Sequence, residues 1–568
     1  MFKITLKFNN NKGFNCCKSC SDDINFRTAA FFVYCFFKTD MNYFRKLSLL
    51  SIIFLYTSVG FAQVANDSTI AVFDKPIPKK VDKELQFFAY FYNQYVRANY
   101  FPTNDFLRGQ IFGRMFGQNT TTTSDSLKSS YFEQRLLPFF IYTPKLLNGK
   151  AILRTSFEID YTWGDVAYGV GGNFGGAVSA DQVNIQTQNI ELELIPAKHW
   201  AINLGLQRMF DNPSNAYRTL FEDLTNTGYR LMYWGTDATG INVRYDGDFQ
   251  KFKFAYWQLY ENSVEINDDV VRYELMYDRQ ITKKSKLGGS LDYVRDRASG
   301  EGGPSILGQG LNSTLSDYNG SYRFPISGNR YRADVLWAGL FYTRNSGYVQ
   351  DRFMLTGFAN YNFGTVDTLS TTQAEVWGKR ASIGGLGLNI KTGYRYGKTA
   401  NDIVQADFLY STGDENSLND DKYSGVLTGN NWGAPVSIFI SSGSYILFPH
   451  GNVVNRFVAL VNDFSNLGYG LTGGVVSFHK DIIPHKFNAK ISFATAFSNV
   501  TPPGGSSHMG TEANFKISYT PNLLMNLELH GAYLSLGDFY KSRVTNGNVA
   551  TKPVDPWTVF VVYKWLMF

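Results

Sequence analysis

Charged side chains of both signs recur at every second position in several stretches of the chain. In 152–163, Arg154, Glu158 and Asp160 alternate with large apolar residues. Successive residues of a β-strand point to opposite sides, so these three charges share one face. The same spacing in other stretches adds further cations to such a face: Arg230, Arg244, Lys251, Lys253, Arg272, Lys391 and Arg395. Arg and Lys grouped on one face can bind carboxylates or phosphates.

Carboxylates occupy the same faces as these cations. They are Glu158, Asp160, Glu191, Glu193, Glu274, Asp407 and Glu528. In one interpretation the cations pair with these carboxylates and only line a hydrated wall. In the other they form a constriction that selects an anionic solute. The second interpretation predicts these solute-binding residues: Arg154, Arg230, Arg244, Lys251, Lys253, Arg272, Lys391, Arg395, Glu158 and Asp160.

Residues with catalytic spacing are missing from the sequence. The 6 His form no His-x-x-x-His or His-Glu-x-x-His pair, and no Gly-x-Ser-x-Gly elbow occurs. Glu528 and His530 share a strand face and could act as acid and base. A His on the polar face of a strand is, however, more often simply hydrated. We therefore expect no enzymatic activity, no metal and no cofactor.

The elements that carry these charges are predicted to be strands. Amphipathic segments of about ten residues recur from 85–100 to the end of the chain, with Tyr and Trp at their ends. A soluble β-sandwich also alternates, but a soluble domain usually ends within a shorter chain. The last segment, 557–568, ends on Phe568 and resembles the C-terminal assembly signal of bacterial outer-membrane barrels. The pattern predicts an all-β fold, a transmembrane antiparallel β-barrel of about 16–18 strands around an aqueous lumen.

The start of the chain predicts export. Residues 41–62 combine a basic start, a short apolar run and small residues before Gln63, which is the pattern of a signal peptide. Residues 1–40 are predicted to lie upstream of the true start. They hold all four cysteines: Cys16, Cys17, Cys20 and Cys35. A zinc site needs a second pair of ligands at suitable spacing, and these cysteines do not provide one. Most of the formal net charge of +6 lies in 1–62, so it indicates no nucleic-acid partner.

The remaining organisation follows from these limits. Residues 63–86 are predicted to be a periplasmic lead-in and 87–568 the barrel, in the outer membrane of a Gram-negative bacterium. No stretch reads as a separate plug domain. Longer connections, including 296–328 and 411–434, are expected on the outer side of the membrane.

Three stretches resemble the alginate-export-type family of outer-membrane porins. They are TGDENSLND at 412–420, the C-terminal pattern that joins GTEAN at 510–514 to LGDF at 536–539, and TDATGINVRY at 236–245. The resemblance covers about 150–568 and implies a monomeric 18-stranded barrel that conducts an anionic polyuronate by diffusion.

The predicted function is passive passage of hydrophilic solutes, an anionic oligo- or polysaccharide among them. The alternatives are a general porin and a non-conducting barrel that serves as scaffold of a secretion or surface assembly. The expected partners are outer-membrane lipid, the hydrophilic or anionic sugar solute and the barrel-assembly machinery.

Overall fold

A computed structural model describes most of the chain after residue 82. The described residues are 83–102, 113–116, 121–162, 184–208, 237–260, 269–298, 304–305, 308–309, 330–369, 376–416, 420–427, 443–448, 458–461, 464–549 and 551–567. The predicted leader and signal peptide, and nearly all of the predicted lead-in, lie outside them. The first strand begins at Leu85, slightly before the predicted start of the barrel.

Eighteen long strands of the described residues form one sheet. The first nine are β1 (Leu85–Ala98), β2 (Ser129–Tyr142), β3 (Ala151–Thr162), β4 (Asn184–Leu194), β5 (Trp200–Arg208), β6 (Asp237–Asp246), β7 (Gln250–Tyr260), β8 (Val270–Thr282) and β9 (Ser285–Asp296). The second nine are β10 (Tyr331–Arg344), β11 (Phe353–Leu369), β12 (Trp377–Arg395), β13 (Ile403–Ser411), β14 (Leu471–Ile483), β15 (Phe487–Ser498), β16 (His508–Asn522), β17 (Met525–Leu536) and β18 (Trp557–Met567).

Shorter elements lie in the connections. They are the strands Tyr100–Pro102, Gly113–Arg114, Thr121–Thr123, Pro304–Ser305, Gly308–Gln309, Lys422–Tyr423 and Val458–Ala459, and the 3-10 helices Lys145–Leu147 and Asp538–Lys541. In the part of the chain that the structure describes, no helix has the length and apolar content needed to cross a membrane.

The sheet closes on itself. Each long strand pairs antiparallel with the next, and β18 pairs antiparallel with β1, from Ala89 opposite Met567 to Ala98 opposite Thr558. Closure pairs the backbone N–H and C=O groups that an open edge would leave bare, as hydrocarbon requires. The predicted transmembrane antiparallel barrel is confirmed, with a strand count at the upper limit of the prediction.

The two ends of the barrel have unequal connections. At one end, here called the turn end, short links occupy 143–150, 195–199, 247–249, 283–284, 345–352, 396–402, 484–486 and 523–524. At the other, the loop end, the connections are 99–128, 163–183, 209–236, 261–269, 297–330, 370–376, 412–470, 499–507 and 537–556. Short periplasmic turns and longer outer loops are typical of outer-membrane barrels.

The outer face of the barrel is apolar. Large exposed side chains cover it, with Phe493 60% exposed and Leu340 63% exposed. Aromatic residues such as Trp565 and Tyr519 lie near strand ends, at the level of a membrane interface. A closed barrel with this exterior is a membrane-spanning barrel, and the predicted location in the outer membrane is confirmed.

The interior differs from the predicted open lumen. Towards the loop end, inward residues of the wall such as Val335 and Leu534 form one buried apolar cluster with Leu427, Ile446 and Leu460 of the 412–470 connection. Trp337 on β10 donates its indole N–H to the carbonyl of Leu427 at 2.9 Å. Part of the connection predicted to lie outside therefore folds into the barrel. The periodicity of the sequence cannot predict that a connection folds into the barrel, because it shows only which side of a strand is apolar.

Candidate functional site

The inner wall carries the charged residues that the alternation predicted. Arg154 on β3 contacts Glu191 and Glu193 on β4, with N–O distances of 2.8 and 3.1 Å. Arg244 on β6 reaches the same Glu193 at 2.9 Å and also contacts Asp246 at 3.1 Å. The Glu193 carboxylate thus joins two of the predicted cations into one ion network across β3 to β6.

A second network spans β7 to β9. Arg272 contacts Glu274 at 3.0 Å and Asp292 at 2.6 Å, and all three side chains are at most 1% exposed. Lys253 on β7 also forms an ion pair with Glu274. The indole N–H of Trp257, which lies opposite Arg272, also donates to Glu274 at 3.2 Å. Each charge of this network is compensated within the wall, as buried charges must be.

Other predicted residues are more scattered. Lys391 lies 3.6 Å from Asp407 on the neighbouring strand β13. The guanidinium of Arg395 lies 5.2 Å from the ring centre of Tyr348 and donates to its carbonyl at 3.1 Å. Lys251 is half-buried on the inner side of β7.

The other three residues of the predicted set lie wholly or partly outside the described part of the chain. Arg230 lies outside the described residues, and Glu158 and Asp160 contribute described backbone to β3 without described side chains. Binding of a solute by any member of the set stays a prediction.

One cluster on the inner wall was not recognised from the sequence. His479, Lys490, Lys516 and His530 are successive cross-strand partners on β14, β15, β16 and β17. We call these four residues the basic row. Each occupies a polar position in the alternation, which was the available signal. Their neighbourhood depends on strand register, and register is set by pairing between distant segments.

Glu528 is the acidic residue that links this region. Its carboxylate lies 3.4 Å from Lys516, 3.0 Å from Lys564 and 3.0 Å from His530. One carboxylate therefore contacts two ammonium groups and one fully buried imidazole. Like charges directly opposite each other on adjacent strands are destabilising. The two ammonium groups of the row, Lys490 and Lys516, form such a pair.

Glu528 and His530, considered above as an acid and base, are in contact. His530 is fully buried, stacked on Phe560 with 4.4 Å between ring centres. This packing accounts for its position without catalysis. Among the described residues, no three His, Cys, Asp or Glu side chains are grouped so that they could hold a metal ion.

The turn end carries a separate ion pair at the 396–402 turn. Asp402 lies 3.0 Å from Lys480, and one of its oxygens also accepts the backbone N–H of Asp481 at 3.3 Å. The hydrogen bond from Lys480, with those from the 399 and 481 backbone, lowers the pKa of Asp402 to about 2. The turn is therefore attached to β14 by a carboxylate that stays ionised at neutral pH.

Comparison with known proteins gives little. The sequence matches no protein-family model and no curated protein. Solved structures of similar form include Pseudomonas aeruginosa OccK1 (OpdK), at 10% identity and a TM-score of 0.44, with 85% of this chain and 98% of that chain covered. Acinetobacter baumannii OccAB1 is 11% identical with a TM-score of 0.44, covering 87% of this chain and 99% of that chain. Similarity this low supports nothing beyond what the chain's own coordinates show, and the resemblance to alginate-export porins receives no support from it.

Proposed function

We propose that this barrel is a channel for passive diffusion of small hydrophilic solutes, with a preference for anions. The observation that carries the proposal is the pair of ammonium groups in the basic row, Lys490 and Lys516, which lie opposite each other on the inner wall. Ammonium groups on a channel wall attract carboxylates and phosphates. The proposal includes no catalytic step, and it keeps outer-membrane lipid and the barrel-assembly machinery as partners.

Two features of the interior support small solutes. The ion networks on β3 to β9 are internally compensated, so they offer a polar wall without a strong net field. The apolar cluster at the loop end occupies part of the cross-section with side chains such as Phe448 and Phe464. Both features favour a general porin of narrow bore over a conduit for a long polymer.

The test is the charge selectivity of the reconstituted protein. We expect a planar bilayer under a salt gradient to give a reversal potential on the anion-selective side. Lys490→Gln with Lys516→Gln should move it towards neutrality. Lys541→Gln, at an exposed loop-end position paired with Asp538, is the matched control and should leave selectivity unchanged. Unaltered selectivity in the double variant would refute the proposed role of the basic row.

An oligouronate is a narrower candidate among anionic solutes, supported by the sequence resemblance alone. It should reduce the single-channel current when added at micromolar to millimolar concentration, the range of weak binding. Persistent full current would leave a general porin.

A scaffold without conductance is the second candidate function. The apolar packing at the loop end of the barrel favours it, since Leu447, Leu460 and Phe464 are fully buried there. A folded protein that gives no current and purifies with a stoichiometric partner would support this alternative.

A further inference from the structure

A short segment of the 412–470 connection is held against the inner wall. We call residues 443–448 the inserted segment. Its side chains from Ser444 to Phe448 are at most 5% exposed. An ideal Cβ placed on Gly443 would lie 3.4 Å from the Cβ of Val475 on β14. The inserted segment therefore lies directly on the wall formed by β14 and the strands that follow.

One carboxylate of the wall holds this segment. Glu512 on β16 accepts the backbone N–H groups of Tyr445, Ile446 and Leu447 at 2.8, 3.0 and 2.7 Å. It also accepts the Ser444 hydroxyl at 2.6 Å. Hydrogen bonds to an ionised acceptor are stronger than those between neutral groups. Five bonds converge on this carboxylate, because the Asn514 amide donates to it as well, at 2.7 Å.

The position of Glu512 is unusual for a charge. Its cross-strand neighbours on the inner face are Ala494 on β15 and Leu534 on β17. Val475 on β14 lies opposite Ala494. An ionised carboxylate in such surroundings is costly unless hydrogen bonds satisfy it. The inserted segment has the converse need, since its three N–H groups require an acceptor inside the barrel. Each partner therefore stabilises the other.

The inserted segment also covers two members of the basic row, Lys490 and His530. The Tyr445 ring centre lies 5.5 Å from the Lys490 ammonium and 5.1 Å from the ring of His530. Asn514 lies on β16 between the inward-facing positions of Glu512 and Lys516, and it donates to the carbonyl of Gly443 at 2.7 Å. The contacts that hold the segment thus place an aromatic ring over the groups proposed to attract solute.

We propose that Glu512 is a latch: its carboxylate keeps the inserted segment over the basic row, and loss of its hydrogen bonds exposes that row to solute. The latch itself depends only on the contacts above. Its effect on passage rests on the proposed channel function.

The latch can be tested without any current. The chain has no cysteine after Cys35, so Leu447→Cys, in the full chain with its four leader cysteines replaced by serine, gives a single buried probe. We expect Glu512→Ala to speed its labelling by a water-soluble maleimide about tenfold or more, since each tenfold corresponds to about 1.4 kcal/mol. Glu512→Gln should fall between, because an amide oxygen still accepts hydrogen bonds without the charge.

A matched control separates the latch from general loosening. Glu133 on β2 is another fully buried wall carboxylate, and it accepts a hydrogen bond from the side-chain amide of Gln94 at 3.0 Å. Glu133→Ala should leave the labelling rate of the 447 probe unchanged. Equal labelling in Glu512→Ala and the parent chain, or equal acceleration by Glu133→Ala, would overturn the latch.

A reversible lock then connects the latch to conduction. The lock is the pair Gly443→Cys and Val475→Cys, introduced into the Glu512→Ala chain without the 447 probe. The distance between the two Cβ atoms is near the one that a disulfide needs. We expect current several times that of the parent chain when the lock is reduced, and a return to the parent level on oxidation. Raised current that oxidation does not lower would refute control of passage by the inserted segment.

The two failures are distinguishable. Faster labelling without current in any variant would retain the latch and refute the channel. Current in the parent chain with no labelling change in Glu512→Ala would retain the channel and refute the latch.

Discussion

At the scale of single residues, the inner wall carries two different arrangements of charge. Arg272 has two carboxylate partners and is 1% exposed, whereas Lys490 and Lys516 lie opposite each other on adjacent strands. Compensated buried pairs contribute little net stability, but breaking one leaves an isolated charge. The Arg272 network is therefore structural, and we propose the basic row as the place where an anion binds.

Removal of one buried partner should be costly. We expect Arg272→Ala to lower the free energy of unfolding by about 3–5 kcal/mol, because Glu274 and Asp292 lose their common cation. Urea unfolding in lipid vesicles measures it. Arg344, whose pair with Asp351 is about a quarter exposed, is the control, and Arg344→Ala should cost less than about 1 kcal/mol. Similar losses in both variants would contradict the distinction.

At the scale of elements, the short links at the turn end are held by specific hydrogen bonds. The 396–402 turn is attached to β14 through Asp402, Lys480 and Asn401, whose amide donates to Asp481 at 2.8 Å. The described residues of the loop-end connections lie partly inside the barrel. The 412–470 connection contributes the inserted segment, and its Val458–Ala459 strand pairs with Gly113–Arg114 of the 99–128 connection.

The Asp402 attachment should depend on acid. Its folded-state pKa of about 2 lies below the ordinary value of 3.8, so its ionised form stabilises the fold. That contribution is complete above the ordinary value and is lost as the pH falls through about 2. We expect Asp402→Asn to unfold at a lower temperature than the parent chain at pH 6, and at the same temperature near about pH 1, where the carboxyl is protonated in both states. A difference that persists at that acidic pH would point to a cause other than the charge.

At the scale of the whole molecule, the closed sheet separates two environments. The outer face exposes large apolar residues in the middle of its strands, and the inner face carries ion networks and an apolar cluster. Such a molecule is stable only when hydrocarbon surrounds it, because the exposed apolar area is far larger than a water-soluble monomer tolerates.

Depth in the membrane should decide the effect of an outward charge. We expect Phe493→Arg, in the middle of β15, to cost about 2–4 kcal/mol of unfolding free energy. Tyr519→Arg, near the turn end of β16, should cost at most about 1 kcal/mol. Unfolding in lipid vesicles measures both. Equal costs would argue against a membrane around this face.

The sequence was sufficient for the faces of the strands. Leu153 and Arg154, or Leu527 and Glu528, were assigned to the correct sides because side-chain alternation is a local property of extended backbone. The strand count followed from the length of the chain after the signal peptide, divided by the length of one strand with its connection. The inward residues of the predicted set were identified in the same way, without their partners.

What only the tertiary structure decided depends on distant parts of the chain. The basic row requires the register of four strands, and the latch requires a segment at 443–448 to meet a strand residue at 512. Sequence alternation contains neither, because register and loop insertion are set by pairing across long separations. The sequence by itself determined that this chain forms a membrane barrel with a charged interior. The folded structure decided which charges meet and what fills the barrel between them.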